Sequence, residues 1–467
     1  MLDTVERPRE AEGTNDVTHF DVLIAGAGIS GIGSAVHLKE QCPDKTYAIL
    51  DSKDSFGGTW DTHKYPGVRS DSDLYTFGYR FKPWIGPPIA TAEEILKYMG
   101  EVIEDNQLDQ HIRYGHKILS ASWSSRDSLW TIEAVRTDTH QQLSFTANFL
   151  WMCQGYYRHG KGYTPEWPGM ETFKGTIVHP QTWPTDLDYK GKRMIVIGSG
   201  ATAATLVPAV ANDTAHVTML QRSPTYFIPG RNAIDIAEQL RALQVDEAWI
   251  HEITRRQILK MQDEFTTRSK EDPESVKAEL LGAVKLFLGE DYDIEKHFTP
   301  KYRPWRQRIA FIPDGDLFQG IASGKASVVT DEIERFTEKG ILLKSGAELE
   351  ADIIVTATGF DLSAQGDINF VVDGKPIAAR WFGQSSFASH CIATARNVVV
   401  VDKSLPLDVA ALFGCAVVTG VGAVVNASVA DTNRGFLLVR REVYQTIREK
   451  LALPTWATKT SSAITCW

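Results

Sequence analysis

One stretch near the start of the chain restricts the fold more than any other. Phe20 to Ala25 (FDVLIA) is a short apolar run of strand type, and Gly26-Ala27-Gly28-Ile29-Ser30-Gly31 follows it at once. A helical pattern runs from Ile32 to Lys39, and a second apolar strand, Tyr47 to Leu50, ends at Asp51. Strand, glycines, helix, strand and acid in this order form the complete dinucleotide fingerprint of a Rossmann unit. Gly26 permits the tight turn, Gly28 lets the backbone approach a pyrophosphate, and Gly31 lets helix pack on strand. The pyrophosphate meets the free N–H groups of the helix start, and Asp51 is placed to take the ribose hydroxyls. The plain alternative, an ordinary glycine turn, calls for none of the flanking parts.

The pattern returns once. Met194 to Ile197 leads into Gly198-Ser199-Gly200-Ala201-Thr202-Ala203, with Ala203 in the place of the third glycine, an accepted change at the helix–strand contact. A second strand, His216 to Leu220, is followed by Gln221-Arg222-Ser223, an arginine where the first site has an acid. A guanidinium suits a 2′-phosphate and a carboxylate would repel it, so Arg222 and Ser223 point to NADPH and not NADH. A solvated surface charge is the alternative for Arg222. Two such sites imply FAD in the first and NADPH in the second, hence a flavoprotein oxidoreductase. The expected fold is α/β, with two Rossmann-type dinucleotide-binding domains.

The rest of the 467 residues fits around these units. Thr91 with Glu94 reads as a capping box before a one-sided apolar helix. Ile112 to Cys153 alternates and is β-branched, as an antiparallel insert would be. Residues 232–296 are charged at helical spacing, a helical insertion whose charges read most simply as a solvated face. The expected boundaries are a disordered tail over 1–18 and a FAD-binding domain with its β insert over 19–172. The NADPH-binding domain with its linker spans 173–345, the chain returns to the first domain over 346–380, and 381–467 is atypical.

Apolar residues make up 43% of the chain and charged residues 23%, the mix of a soluble globular protein. The net charge of −10 leaves no positive excess for phosphates and argues against a nucleic-acid binder. The five cysteines contain no Cys-x-x-Cys pair, which argues against a disulfide framework, a zinc finger and a dithiol redox site. No metal site is expected. Met1 to Thr18 lacks the apolar core of a secretory signal, so a reducing, cytoplasmic setting is expected. Val409 to Ala430 carries no charge and is long enough to cross a bilayer at ~20 residues. Its glycines, Thr419, Asn426 and Ser428 dilute it, and a buried soluble segment is the preferred reading over membrane association.

Between the glycine motifs lies Phe173-Lys174-Gly175-Thr176-Ile177-Val178-His179-Pro180-Gln181-Thr182-Trp183-Pro184. It resembles the fingerprint of Baeyer–Villiger monooxygenases, class B flavin-dependent enzymes, with Phe173, Gly175, His179 and Trp183 at defining positions. Gly57-Gly58-Thr59-Trp60-Asp61, Tyr65-Pro66-Gly67-Val68-Arg69-Ser70-Asp71 and the stretch Asp71 to Gly78 resemble the same family's flavin-side segments, and the closest likeness is to its ethionamide-activating subgroup. In that family NADPH reduces FAD, O2 adds to give a C4a-peroxyflavin, and a ketone becomes an ester or lactone.

The resemblance implies that Arg308 is the catalytic arginine and Asp71 the acid that orients it. It also implies that Gly58, Thr59, Trp60, Asp61, Asp71 and Tyr75 serve FAD and Arg69 serves NADPH. Gln307 stands where family members often have a lysine. His179 and Trp183 resemble positions that couple the two domains.

The likeness is read as far as Pro376. Phe382 to Ala430 instead resembles a fragment of medium-chain zinc alcohol dehydrogenases, with Cys415 at a zinc-ligand position. A single thiolate makes no zinc site, so Cys415 reads as a buried apolar residue. The join is a fusion or an error in the gene model, and no oligomeric state follows from the sequence. Three competitors to Baeyer–Villiger oxidation stay open at this point: an N- or S-oxidising flavin monooxygenase, an uncoupled NADPH oxidase, and an inactive dinucleotide-binding remnant.

Overall fold

The computed structural model describes residues 17–363 and 366–376. Strand β1 (Thr18–Ala25) runs into helix α1 (Ile29–Gln41), and strand β2 (Tyr47–Leu50) returns parallel to β1, with Val22 opposite Tyr47 and Ala25 opposite Leu50. The later part of β1 is almost wholly apolar because both of its faces are covered. Val22 and Ile24 pack with Ile32 and Val36 of α1, whereas Leu23 and Ala25 pack on the opposite face with Phe145 and Ala147.

Helices α2 (Thr59–Thr62), α3 (Leu74–Phe77) and α4 (Ala92–Asp105) follow, then strand β3 (Ile112–Arg113) beside β2. The expected capping box forms at α4. The Thr91 hydroxyl accepts from the Glu94 N–H at 3.2 Å, and the Glu94 carboxylate accepts from the Thr91 N–H at 2.8 Å. The antiparallel strands form as β4 (His116–Ser124), β5 (Leu129–Arg136) and β6 (Gln142–Met152). They are no separate layer, because β6 also pairs parallel with β1.

Strand β7 (Tyr157–Gly162) leads out of this domain, and β8 (Thr176–Val178) enters the second sheet. The second Rossmann unit is β9 (Arg193–Ile197), α5 (Ala201–Val210) and β10 (His216–Gln221). Strand β11 (Phe227–Gly230) precedes the helical insertion, formed by α6 (Asp235–Ala242), α7 (Glu247–Glu271), α8 (Pro273–Leu288) and α9 (Ile294–Phe298). Strand β12 (Ala310–Pro313) pairs with β11, and α10 (Asp316–Ala322) and β13 (Ala326–Thr330) complete the unit. An antiparallel meander follows as β14 (Ile333–Phe336), β15 (Gly340–Leu343) and β16 (Glu348–Glu350). Strand β17 (Ile353–Thr356) precedes β18 (Phe360–Leu362), β19 (Asn369–Val372) and β20 (Lys375–Pro376).

Two expectations change here. The return to the first domain does not begin at 346: β17 lies between β9 and β8 in the parallel order β13-β10-β9-β17-β8 of the second sheet. All four β17 residues are buried, and a buried parallel strand reads alike in either sheet. The crossing back comes with β18, which pairs antiparallel with β7, and β19 then adds to β4 of the first sheet.

The helical insertion is the second change. Its longest helix is not simply a solvated face. Ile258 of α7 belongs to the apolar cluster of the first domain, and His251 and Thr254 on the same side are buried. Among the described residues no helix is long and apolar enough to cross a membrane. Val409 to Ala430 and Cys415 lie outside the described residues.

Candidate active site

Both glycine loops open onto one cavity of about 660 Å³. Gly26 and Gly28 line it from the first loop and Gly200, Ala201 and Thr202 from the second, together with Asp51, Gly58, Thr59, Trp60, Arg69, Asp71 and His179. The other glycines of the motifs shape the turns. A Cβ on Gly31 would lie 1.8 Å from the Gly26 carbonyl oxygen, so only glycine allows α1 to sit this close to β1. Gly198 has a φ of +129°, and a Cβ there would lie 2.3 Å from the Ala357 carbonyl oxygen. Ser199 is half-buried in that turn, and Ala203 is fully buried against the second sheet.

Helices α1 and α5 begin at Gly28 and Gly200 with neither a side-chain cap nor an acid in the first turn. Their first N–H groups therefore remain available to a phosphate, and the donor set fits two dinucleotides. The Asp51 carboxylate is held at the end of β2 by the Ala27 N–H at 2.7 Å and the Lys53 N–H at 2.9 Å. Arg222 and Ser223 are exposed directly after β10, at the C-terminal edge of the sheet, where the second nucleotide's ribose would lie.

Asp61 and Tyr75 do not line the cavity. Asp61 accepts from Lys53 at 3.1 Å, Lys64 at 3.0 Å and Ser55 at 2.8 Å. Burial raises its carboxyl, but these hydrogen bonds outweigh burial and hold it below its ordinary value. Tyr75 is buried, and its hydroxyl donates to the Gly86 carbonyl at 3.0 Å. Through these contacts the two residues brace the segment that carries them.

Arg308 and Asp71, 237 residues apart, do meet: Nε lies 2.9 Å from the Asp71 carboxylate. One Arg308 terminal nitrogen also donates to the Asp71 carbonyl at 3.0 Å and to the Ser72 hydroxyl at 2.9 Å. Asp71 faces the cavity, and the Arg308 side chain is 55% exposed. Arg69 lines the cavity too, but its guanidinium is paired with Asp316 of α10 at 2.5 and 3.2 Å.

The linker residues divide by task. Phe173 and Trp183 are buried in the second domain, and a Cβ on Gly175 would lie 2.3 Å from the Asp352 carbonyl. His179 reaches the cavity. Its Nδ1 accepts from the Gln181 N–H at 3.1 Å, so Nε2 carries the proton it donates to the Gly359 carbonyl, also at 3.1 Å. Gln181 donates to the carbonyls of Arg158 and His159 on β7. The segment thus grips β7 and the loop just before β18, the two places where the chain crosses between domains.

Among the cavity residues to which the sequence reading gave no role are Lys53, His63, Tyr65 and His159. Lys53 donates to the Thr62 hydroxyl at 2.6 Å, which also meets His159 Nδ1 at 2.7 Å. Burial first, then the charge of Lys53, pushes His159 down to about 4. Burial raises Tyr65 to about 12, and Thr202 of the second loop hydrogen-bonds it. Lys53 had a signal, two residues after the strand-ending acid; the histidines belong to no motif.

The helical insertion also reaches the segment that follows Asp71. Arg255 of α7 donates to the carbonyls of Tyr75 at 3.0 Å and Thr76 at 2.7 Å, and Gln262 donates to Asp73 at 3.2 Å. Arg80 pairs with Glu252 at 3.1 Å.

Residues 85–235 match the flavin-binding monooxygenase-like family, and residues 24–83 match an NAD(P)-binding Rossmann-like domain. The FAD-containing monooxygenase MymA of Mycobacterium tuberculosis is 47% identical over 361 residues, 76% of this chain and 72% of the relative. The FAD-binding monooxygenase AlmA of an Acinetobacter species is 44% identical over 404 residues, 85% of this chain and 81% of the relative. That share exceeds what residues 1–376 supply, so likeness to a relative continues past Pro376. Among solved structures, a steroid monooxygenase bound to NADP superposes with a TM-score of 0.61 at 25% identity, covering 77% of this chain and 75% of that one. With such identity across most of its length and both dinucleotide cradles formed, the chain belongs to the flavin-binding monooxygenase-like family and is an enzyme of the FAD-containing monooxygenase type.

Proposed function

We propose that this enzyme uses NADPH and O2 to insert one oxygen atom into a ketone, giving an ester or lactone. The observation that carries the reading is the Arg308–Asp71 ion pair, assembled from both domains at the edge of the cavity onto which both glycine loops open. Bound flavin would accept hydride from the nicotinamide and activate O2; the protein's part is to bind, orient and stabilise charge. The loop Gly26 to Gly31 with α1 would hold the FAD pyrophosphate, and Asp51 its ribose. The loop Gly198 to Ala203 with α5 would hold NADPH, with Arg222 and Ser223 as the residues to take its 2′-phosphate.

Arg308 places a positive charge where an oxyanion develops on the attacked ketone, and Asp71 fixes its direction. A neutral His179 is suited to a positioning role: burial holds it below its ordinary value, and both ring nitrogens are engaged by backbone.

The exposure of Arg308 favours one second reading, NADPH oxidation with release of hydrogen peroxide, because water at the charge weakens its hold on an oxyanion. The test is to purify the protein, read its visible spectrum and follow NADPH consumption with and without a panel of ketones. Ester carrying one added oxygen supports the proposal. Peroxide with every ketone supports the oxidase, and oxygenation of sulfides or amines alone supports the N- or S-oxidising reading. A colourless protein that cannot be reconstituted with FAD would overturn the proposal.

A further inference from the structure

Two ion pairs tie the loop after Tyr65 to the segment from Arg308 to Asp316. Arg308 meets Asp71, and Arg69 meets Asp316. Each side supplies one arginine and one aspartate. The crossed arrangement would set Arg69 against Arg308 and Asp71 against Asp316, like charge against like, so the pairs select a single register.

The pairs differ in burial. The side chains of Arg308 and Asp71 are 55% and 41% exposed, a setting in which screening leaves little net attraction. Those of Arg69 and Asp316 are 16% and 32% exposed. Their contact is bidentate, and Asp316 is further fixed by the Leu317 N–H at 2.8 Å. Arg69 is anchored from its own side by an antiparallel backbone bridge to Thr91, the cap of α4. A rigid pair thus stands beside a loose one, two residues away along the loop.

We propose that the Arg69–Asp316 pair is the pin that sets the register between the two domains and thereby holds Arg308 over Asp71. Arg69 is then a positioning residue and not a nucleotide ligand. The proposal rests on the reading of Arg308 as the site's reactive cation. The rival role follows from the same position: Arg69 lines the cavity, and a free guanidinium there would bind phosphate.

The two roles differ in what they require of Asp316. The test uses the FAD-loaded full chain with Arg69→Gln, Asp316→Asn, their double variant and Arg69→Lys, each checked for flavin content. A pin predicts that both single variants raise the share of NADPH lost as peroxide by a similar factor, roughly tenfold, and that the double is no worse. It predicts a lower kcat for product with little change in the KM for NADPH, an NADP+ dissociation constant by calorimetry within about threefold of wild type, and partial rescue by lysine, which keeps the charge but not the fork.

Amide hydrogen exchange of residues 308–316 should rise in each single variant and no further in the double. This readout needs no oxygenated product, so it stands even if the ketone reading fails. In an Arg308→Ala background, Arg69→Gln should leave the peroxide share unchanged.

Additive effects of the two single variants would overturn the pin, as would unaltered exchange at 308–316. So would weaker NADP+ binding in Arg69→Gln with equal or tighter binding in Asp316→Asn, the pattern of a nucleotide ligand released from its partner.

Discussion

The second glycine loop allows folding and binding to be separated by one methyl group placed at two neighbouring positions. At Gly198 the backbone φ is +129°, and a Cβ would lie 2.3 Å from the Ala357 carbonyl oxygen. Gly198→Ala therefore combines a backbone conformation that alanine resists with a clash against main chain that cannot swing away, for a loss of about 2–4 kcal/mol. In a unit of this size that is a fall of very roughly 5–15 °C in thermal midpoint. At Gly200 the φ is −78°, and a Cβ would meet no protein atom within 4 Å. Gly200→Ala should cost under about 1 kcal/mol, since that φ suits any residue. Yet Gly200 caps α5 and lines the cavity, so the added methyl stands where a pyrophosphate would approach the helix N-terminus. NADP+ affinity should fall roughly tenfold to a hundredfold, about 1.4–2.8 kcal/mol. The assay is a thermal melt followed by isothermal titration with NADP+ on both variants. Normal NADP+ affinity in a folded Gly200→Ala protein would refute the reasoning, because the backbone would then not approach the phosphates. A Gly198→Ala protein as stable as wild type would refute the steric half.

Arg222→Ala should raise the KM for NADPH far more than that for NADH, and equal effects would show that Arg222 does not read the 2′-phosphate. Arg308→Ala should keep FAD bound but lower ester formation by roughly tenfold to a hundredfold, less than a fully dry oxyanion site would lose, because the pair is half exposed. Asp71→Ala should act in the same direction more mildly, and ester yields equal to wild type in both variants would remove the pair from the chemistry. Acid should destabilise the fold through its histidines. His63, His116, His159, His179, His251 and His297 are all held below their ordinary value, by burial first. They fold neutral, so their contribution is full above the ordinary value near 6.5 and is lost as the pH falls through the folded value, about 4 for His159. Discounted for partial exposure, His159 alone should contribute about 1–2 kcal/mol to that loss. Urea midpoints at pH 7.5 and 5.0 should therefore fall less for His159→Gln than for wild type; an equal fall would reject the assignment.

How much of this site could be read from the sequence follows from how local each constraint is. Gly31 must be glycine because Gly26 lies one turn away across a helix–strand contact, so both cradles were legible from short windows. The Arg308–Asp71 pair came only through resemblance, since nothing in the spacing of two residues so far apart says that β12 will bring them together. The same holds for Arg69, whose partner on α10 is invisible to a reading that assigns Arg69 to NADPH from its motif position alone. Strand β17 was legible as a strand but not by its sheet, because a fully buried parallel strand carries no mark of its neighbours.

The charges of α7 were misread for a more instructive reason. A four-residue helix such as α3 leaves most of its carbonyls without intrahelical partners. Donors must come from elsewhere, and Arg255 supplies two hydrogen bonds to the carbonyls of Tyr75 and Thr76. A pattern that sorts residues into apolar-in and charged-out counts such an arginine as solvent-facing. It contacts the first domain because the short helix that begins three residues past Asp71 cannot satisfy its own backbone. The charged face of the insertion is therefore also a set of donors for the segment that carries Asp71, which ties the helical insertion to the site through main-chain hydrogen bonding.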